Sequence, residues 1–113
     1  MAEPYLIPSI IQRTETEVAK SRFITTVGPT PTVEDAKGLL AAVRAEMPDA
    51  SHHVYAYRVG FGSSVIESMS DDGEPSGTSG PPVMAVVRGS GIGDITVVVT
   101  RYFGGTKLGT GGL

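Results

Sequence analysis

The chain has 113 residues and a formal net charge of -3, and it contains no cysteine. That length suits one domain with one hydrophobic core, and the missing cysteines exclude disulfides, thiolate metal sites and a cysteine nucleophile. The acidic balance weighs against broad binding of nucleic-acid phosphates. Neither a signal peptide nor a membrane-spanning run is evident, so we expect a cytoplasmic protein with no membrane partner.

The N-terminal half predicts two strands followed by a helix. Residues 10–27 hold two β-prone runs, which the prolines of residues 28–31 end. Residues 32–35 have the form of a capping box, which marks the start of a helix. One apolar stripe with spacings of three and four follows and ends before Pro48. Its members are Ala36, Leu39, Leu40, Val43 and Met47.

The middle of the chain predicts an antiparallel hairpin and then a loop. Residues 53–59 are rich in β-branched and aromatic side chains, residues 60–64 have turn composition, and residues 65–69 form a second strand. Residues 71–82 carry too many glycines and prolines for a helix or a strand. We expect this loop to be ordered, because its prolines restrict the unfolded chain and its glycines fit tight turns.

The C-terminal part predicts a short helix and a central strand. Ser79 can cap a helix that has Pro81 or Pro82 in its first turn and continues through residues 83–87. Residues 95–101 are almost continuously β-branched, which is typical of a central strand covered on both faces. We expect an α+β domain with a mixed or antiparallel four-stranded sheet, two helices on one face, and a further helix beyond Leu113.

Two polar clusters could carry chemistry. Asp71, Asp72 and Glu74 lie within four residues, which could build a magnesium or calcium site, but the spacing of an EF-hand is lacking and an acidic turn is favoured. His52 and His53 are adjacent on a strand and point to opposite faces, so at most one faces a site. For either histidine, an interior ring bonded to backbone is favoured over a base.

The end of the chain is rich in glycine, with five glycines in residues 104–112. Successive glycine N–H groups can converge into a nest that holds an anion, and Lys107 and Arg101 would add charge. A purely structural turn explains the same glycines equally well. The chain contains neither a G-x-S-x-G elbow nor a Walker A motif, which weighs against a serine hydrolase and a P-loop enzyme.

Two segments closely resemble the hallmark sequences of the YigZ/IMPACT family (Impact N-terminal domain). They are DDGEPSGTSG at residues 71–80 and VVTRYFGGTKLGTGGL at residues 98–113, and residues 21–24 and 50–57 fit as well. The resemblance implies a ribosomal protein S5 domain 2-like fold. It also implies a role in translation control, because eukaryotic relatives restrain a starvation-responsive translation kinase by binding its ribosome-associated activator. For bacterial members it implies no settled reaction.

These observations lead to two functional hypotheses. The first is a noncatalytic module in translation or stress regulation that binds a ribosome, RNA or protein partner, without a cofactor or metal. The alternative is a phosphate-ligand binder or enzyme that holds a small anionic ligand with the terminal glycines. The candidate binding residues are Arg22, His53, Asp71, Asp72, Glu74, Thr78, Arg101, Tyr102, Gly104, Gly105, Lys107, Gly109 and Gly111.

Arg101 carries a specific structural prediction. It shares strand parity with Ile95, Val97 and Val99, so it lies at the end of that face of the strand, where the loops meet. A guanidinium there needs a partner, because an uncompensated buried charge is costly. We predict that a carboxylate of the 71–74 cluster pairs with it and joins the two loops, with an incoming anionic ligand as the alternative.

Overall fold

The structure is a computed structural model that describes residues 10–60, 62–74 and 76–103. In these residues, strands and helices follow one another in the predicted order β-β-α-β-β-α-β. The elements are β1 (Gln12–Val18), β2 (Ser21–Pro29), α1 (Val33–Glu46), β3 (His52–Val59), β4 (Ile66–Ser70), α2 (Gly80–Ser90) and β5 (Ile95–Phe103). No helix in the described ranges is long and apolar enough to cross a membrane.

The described strands form one five-stranded sheet in the order β1-β2-β5-β3-β4, and every pairing is antiparallel. The prediction of four strands was wrong, because β1 joins the sheet as an edge strand although all seven of its residues are exposed. β1 is held in the sheet by backbone pairing of all seven of its residues with residues 21–27 of β2, and not by burial. The predicted hairpin of β3 and β4 and the central position of β5 are confirmed.

The two helices cover opposite faces of the sheet. Val98 of β5 packs in a cluster with Leu40 and Val43 of α1, whereas the neighbouring Val97 packs with Met84 and Val87 of α2. Because adjacent strand residues point to opposite faces, α1 and α2 lie on different sides. The expectation of both helices on one face was wrong: β5 is apolar on both faces, and each face needs its own cover.

The helix termini follow the predicted chemistry in part. The hydroxyl oxygen of Thr32 accepts a 3.0 Å hydrogen bond from the Asp35 N–H and caps α1 as predicted. Pro81 and Pro82 occupy the first turn of α2, also as predicted. Ser79 is the N-cap residue of α2, as predicted, but its side chain makes no capping hydrogen bond. The Asp71 carboxylate accepts hydrogen bonds at this helix start instead.

Candidate functional site

The acidic loop, defined here as residues 71–80, is organised first by the Asp71 carboxylate. This carboxylate accepts hydrogen bonds from the N–H groups of Gly80 (2.7 Å), Gly77 (2.8 Å) and Ser79 (2.9 Å). These three bonds, led by that of Gly80, lower the pKa of Asp71 below its ordinary value. Asp71 therefore closes the loop on itself and caps α2 in place of the Ser79 hydroxyl.

Asp72 fastens the same loop to β3 and α1. Its carboxylate accepts a 2.7 Å hydrogen bond from the His53 N–H, and its other oxygen lies 3.7 Å from the Arg44 guanidinium. Its backbone carbonyl accepts a 2.7 Å bond from the His52 ring nitrogen Nδ1, which must be the donor because a carbonyl only accepts. The loop is thus held at the start of β3 by side chain and backbone together.

Glu74 pairs with Arg101, which confirms that a carboxylate of the acidic cluster is the partner of this arginine. The Arg101 Nη1 donates to both Glu74 carboxylate oxygens, at 2.9 and 3.1 Å. The Glu74 side chain is only 6% exposed and that of Arg101 is 26% exposed, so the pair is largely shielded from water. The guanidinium lies 3.9 Å from the Phe103 ring centroid and 5.3 Å from that of Phe23. This ion pair joins the acidic loop to the end of β5.

The two histidines point to opposite faces, as predicted. His52 lies on the α2 face beside the acidic loop, with Nε2 3.8 Å from a Glu74 oxygen and its ring edge-on to Phe103. His53 is buried on the α1 face, where Nε2 donates to the Met47 carbonyl and Nδ1 lies 3.0 Å from the Thr100 hydroxyl. Burial lowers the pKa of His53.

His53 therefore has the interior environment that was favoured for either histidine, and His52 is the ring that faces the loop. The candidate residues included His53 and omitted His52. The strand register could have identified His52, because His52 is the direct cross-strand partner of Arg101. Phe23, which pairs with Arg101 from β2, was missed for the same reason.

Arg22 and Tyr102 form a separate group on the α1 face. They are cross-strand partners, and the Arg22 guanidinium lies 5.3 Å from the Tyr102 ring and 2.7 Å from the Glu15 carboxylate. The Tyr102 hydroxyl donates to Asp49 at 3.2 Å, and burial raises the pKa of Tyr102. The structure therefore does not bring Arg22 and Tyr102 together with the acidic loop.

The other candidate residues fall into two sets. Thr78 is exposed on the acidic loop, with its hydroxyl 3.5 Å from that of Ser79. Gly104, Gly105, Lys107, Gly109 and Gly111 lie outside the described residues. The site that the structure defines is therefore the acidic loop with His52, Phe23, Arg101 and Phe103, on the α2 face of the sheet.

All the arginines of this protein lie beside carboxylates. Each of the six arginines has a carboxylate oxygen within 4.0 Å. The pairs are Arg13–Glu46, Arg22–Glu15, Arg44–Asp72, Arg58–Glu67, Arg88–Glu67 and Arg101–Glu74. In the part of the chain that the structure describes, no group of three or more His, Asp or Glu side chains is placed to hold a metal ion.

Sequence comparison identifies relatives over most of the chain. Residues 19–113 match the family model of the Impact N-terminal domain. The chain is 50% identical over 112 residues to the IMPACT family member YigZ of Escherichia coli (strain K12), which covers 98% of this chain and 55% of YigZ. It is 40% identical over 99 residues to YvyE of Bacillus subtilis (strain 168), which covers 88% of this chain and 45% of YvyE. The chain thus spans about half the length of these curated relatives.

Two solved structures share the fold of this chain. A crystal structure of a hypothetical protein superposes with a TM-score of 0.86 at 46% identity, over 93% of this chain and 52% of that one. The two-domain translational regulator Yih1 superposes with a TM-score of 0.68 at 21% identity, over 93% of this chain and 41% of Yih1, which shows a shared fold alone. With the domain model and the 50% identical relative, these results show that the chain belongs to the IMPACT family, as its two glycine-rich segments predicted.

Proposed function

We propose that this chain is a noncatalytic binding domain in translation or stress-response regulation, and that it binds a protein partner through the acidic loop and the adjoining end of β5. The observation that carries the proposal is that the carboxylates of the acidic loop are bonded to other groups of the protein itself. Asp71 accepts hydrogen bonds from three backbone N–H groups. Asp72 accepts one from the backbone N–H of His53 at the start of β3, and Glu74 accepts from the guanidinium of Arg101. These bonds hold the loop as a rigid platform.

The same bonds weigh against catalysis or metal binding by these carboxylates. A general base needs a lone pair within reach of the substrate, and a hard cation needs several oxygens that converge on one point. Here the carboxylates bond to three different places in the protein: the N-terminus of α2, the start of β3 and the end of β5. This arrangement supports binding of a partner to the surface of the loop over catalysis or metal binding by its carboxylates.

The pairing of the arginines favours a protein partner over RNA. Binding to a nucleic-acid backbone draws its affinity from cations that neutralise phosphates. Every arginine of this chain already has a carboxylate neighbour. A protein surface, with its mixed polar and apolar groups, makes a better match for such a balanced surface.

The translational part of the proposal is taken from Yih1, which is described as a translational regulator and shares this fold. We also propose that the sheet is of the ribosomal protein S5 domain 2-like class, and that residues 1–113 form one Impact N-terminal-like domain. The family membership supports both assignments.

Affinity capture from a cell extract tests the proposed function. We expect the immobilised chain to enrich ribosomes or translation factors, and the capture to survive nuclease treatment because the partner is a protein. The variant Thr78→Arg places a long charged side chain on the exposed part of the loop, and we expect it to reduce capture by about tenfold or more. The matched control is Ala41→Arg, which makes the same change on the exposed side of α1, on the opposite face of the sheet. Equal capture by both variants, or capture of unrelated proteins only, contradicts the proposal.

A second candidate, binding of a phosphate-type ligand, is supported by one feature of Arg101. Its Nη2 reaches only Ser21, at 3.5 Å, and its buried Nε has no hydrogen-bond partner among the described residues. This donor capacity could serve a small anion. A thermal-shift panel of nucleotides and phosphorylated metabolites, with and without magnesium, tests it: a dose-dependent rise in Tm that is lost in Arg101→Met supports the anion site, and no shift rejects it.

A further inference from the structure

The outer edge of β1 is open in the described part of the chain. β1 is the first strand of the sheet, all of its residues are exposed, and it contains neither the proline nor the lysine that often protects an edge. Side chains of β1 also bond to β2 and α1. Arg13 donates to the Glu46 carboxylate at 2.7 and 3.0 Å and to the Thr26 hydroxyl at 2.9 Å, while Glu15 accepts from Arg22 at 2.7 Å.

The hairpin turn determines which backbone groups face outward. Ala19 and Lys20 both have positive φ, 51° and 68°, which is the two-residue turn that suits an antiparallel hairpin. Val18 and Ser21 flank this turn and form a hydrogen-bonded pair. Because the pattern alternates along the strand, even-numbered residues of β1 bond to β2, and the odd-numbered Arg13, Glu15 and Glu17 turn their N–H and C=O groups outward.

We propose that a second copy of this chain pairs antiparallel with this edge, about a twofold axis at Thr14, and joins two sheets into one. The proposal is independent of the translational function. In this register Arg13 lies opposite Glu15 of the second copy, and the symmetry makes the pair twice. Each charged residue then faces an opposite charge or a neutral side chain.

Charge selects this register over its neighbours. An axis at Glu15 places two glutamates opposite each other, and an axis at Arg13 does the same with two arginines, so both are disfavoured. With the axis at Thr14, Arg13 and Glu15 of one copy meet Glu15 and Arg13 of the other. Positive and negative side chains then alternate across the interface, together with the existing pairs Arg22–Glu15 and Arg13–Glu46.

Apolar side chains match in the same register. Ile10, which lies two residues before β1, and Val18, the last residue of β1, are 60% and 63% exposed. The register brings these two apolar residues to the same end of the interface, and the symmetry repeats the match at the other end. Backbone pairing, charges and apolar contacts therefore agree on one self-complementary edge.

Sedimentation equilibrium over a concentration series tests the proposal. We expect the mass of the wild-type chain to rise from 11.7 kDa toward twice that value. Glu15→Pro removes an outward N–H that serves only the second copy, and an edge strand tolerates proline there, so this variant stays monomeric. Glu15→Ala is the control: it loses the same side chain but keeps the N–H, and it dimerises more weakly than the wild type and more strongly than Glu15→Pro.

A charge exchange tests the register without proline. Glu15→Arg places like charges opposite Arg13 and reduces dimerisation, whereas the double variant Arg13→Glu/Glu15→Arg restores opposite charges and restores the dimer. Circular dichroism verifies that each variant is folded. A wild-type mass that stays monomeric at all concentrations overturns the proposal, as does a dimer of equal strength in Glu15→Pro or in Glu15→Arg.

Discussion

The first turns of α1 and α2 are both satisfied by a side-chain oxygen, but the two oxygens come from different distances along the chain. Thr32 caps α1 from three residues away, within the segment that forms the helix. Asp71 caps α2 across the acidic loop, eight and nine residues before the N–H groups of Ser79 and Gly80. α1 therefore has a local start, whereas the start of α2 depends on a loop that Arg101 must hold in place.

The largest expected effect comes from cutting the tie between that loop and β5. Arg101→Met removes the partner of the buried Glu74 carboxylate while keeping much of the bulk, and we expect a loss of about 3 kcal/mol in the free energy of unfolding. Amide exchange in residues 71–74 and 76–80 should accelerate in the same variant. Urea denaturation and hydrogen exchange measure the two effects.

Two further variants sharpen this result. Arg101→Met/Glu74→Gln should be more stable than Arg101→Met alone, because the unpaired charge is gone. Arg88→Met removes an exposed partner of Glu67 and should cost less than about 1 kcal/mol. If Arg88→Met and Arg101→Met lost equal amounts of unfolding free energy, burial of the Arg101–Glu74 pair would contribute nothing to stability.

The next effect is that of the remote cap. Asp71→Ala leaves three N–H groups without their acceptor and opens the loop, so we expect a loss of stability larger than that of Thr32→Ala. The pKa of Asp71 is lowered in the folded state, so its contribution is present above the ordinary value of 3.8 and disappears as the pH falls through the folded value. Acid denaturation of wild type and Asp71→Ala should therefore converge at low pH, and curves that stay parallel there would contradict this role.

Removal of the local cap has a smaller effect. Thr32→Ala deletes one hydrogen bond to the Asp35 N–H at an exposed helix start, and we expect a loss of about 1 kcal/mol with no change in exchange of the acidic loop. Thermal or urea denaturation measures the loss. Thr32→Ser keeps the hydroxyl and should be close to wild type, and a full loss in Thr32→Ser would assign the effect to the methyl group instead.

The smallest effect concerns His53. Burial lowers its pKa, so the unfolded chain takes up the proton first, and stability is lost as the pH falls below about 6.5 and through the folded value. Urea denaturation from about pH 8 to about pH 5 should show this decline. His53→Gln keeps a donor toward the Met47 carbonyl and should flatten that part of the profile; an unchanged slope would assign the decline to another group.

Much of the local structure was predictable because short-range physics decides it. The extent of α1 was predictable from the Thr32 cap, the apolar stripe and the proline that follows the helix. The β-branched run identified β5 as a central strand. Strand parity was enough to place Arg101 on a face beside the loops, and the cost of a buried charge was enough to predict a carboxylate partner. The same parity argument separated His52 from His53 without identifying which of the two faced the loop.

The tertiary structure decided what no local rule reaches. It selected Glu74 among the three carboxylates, gave the α2 cap to Asp71 in place of Ser79, placed the helices on opposite faces and kept an exposed β1 in the sheet. Each of these depends on contacts between residues distant in the chain, whose positions follow from how the sheet is assembled. The sequence by itself determined the secondary-structure elements, the central strand and the family, because composition, turn chemistry and motifs are local properties. Strand register and helix packing depend on residues distant in the chain, and they determine which side chains meet at the site.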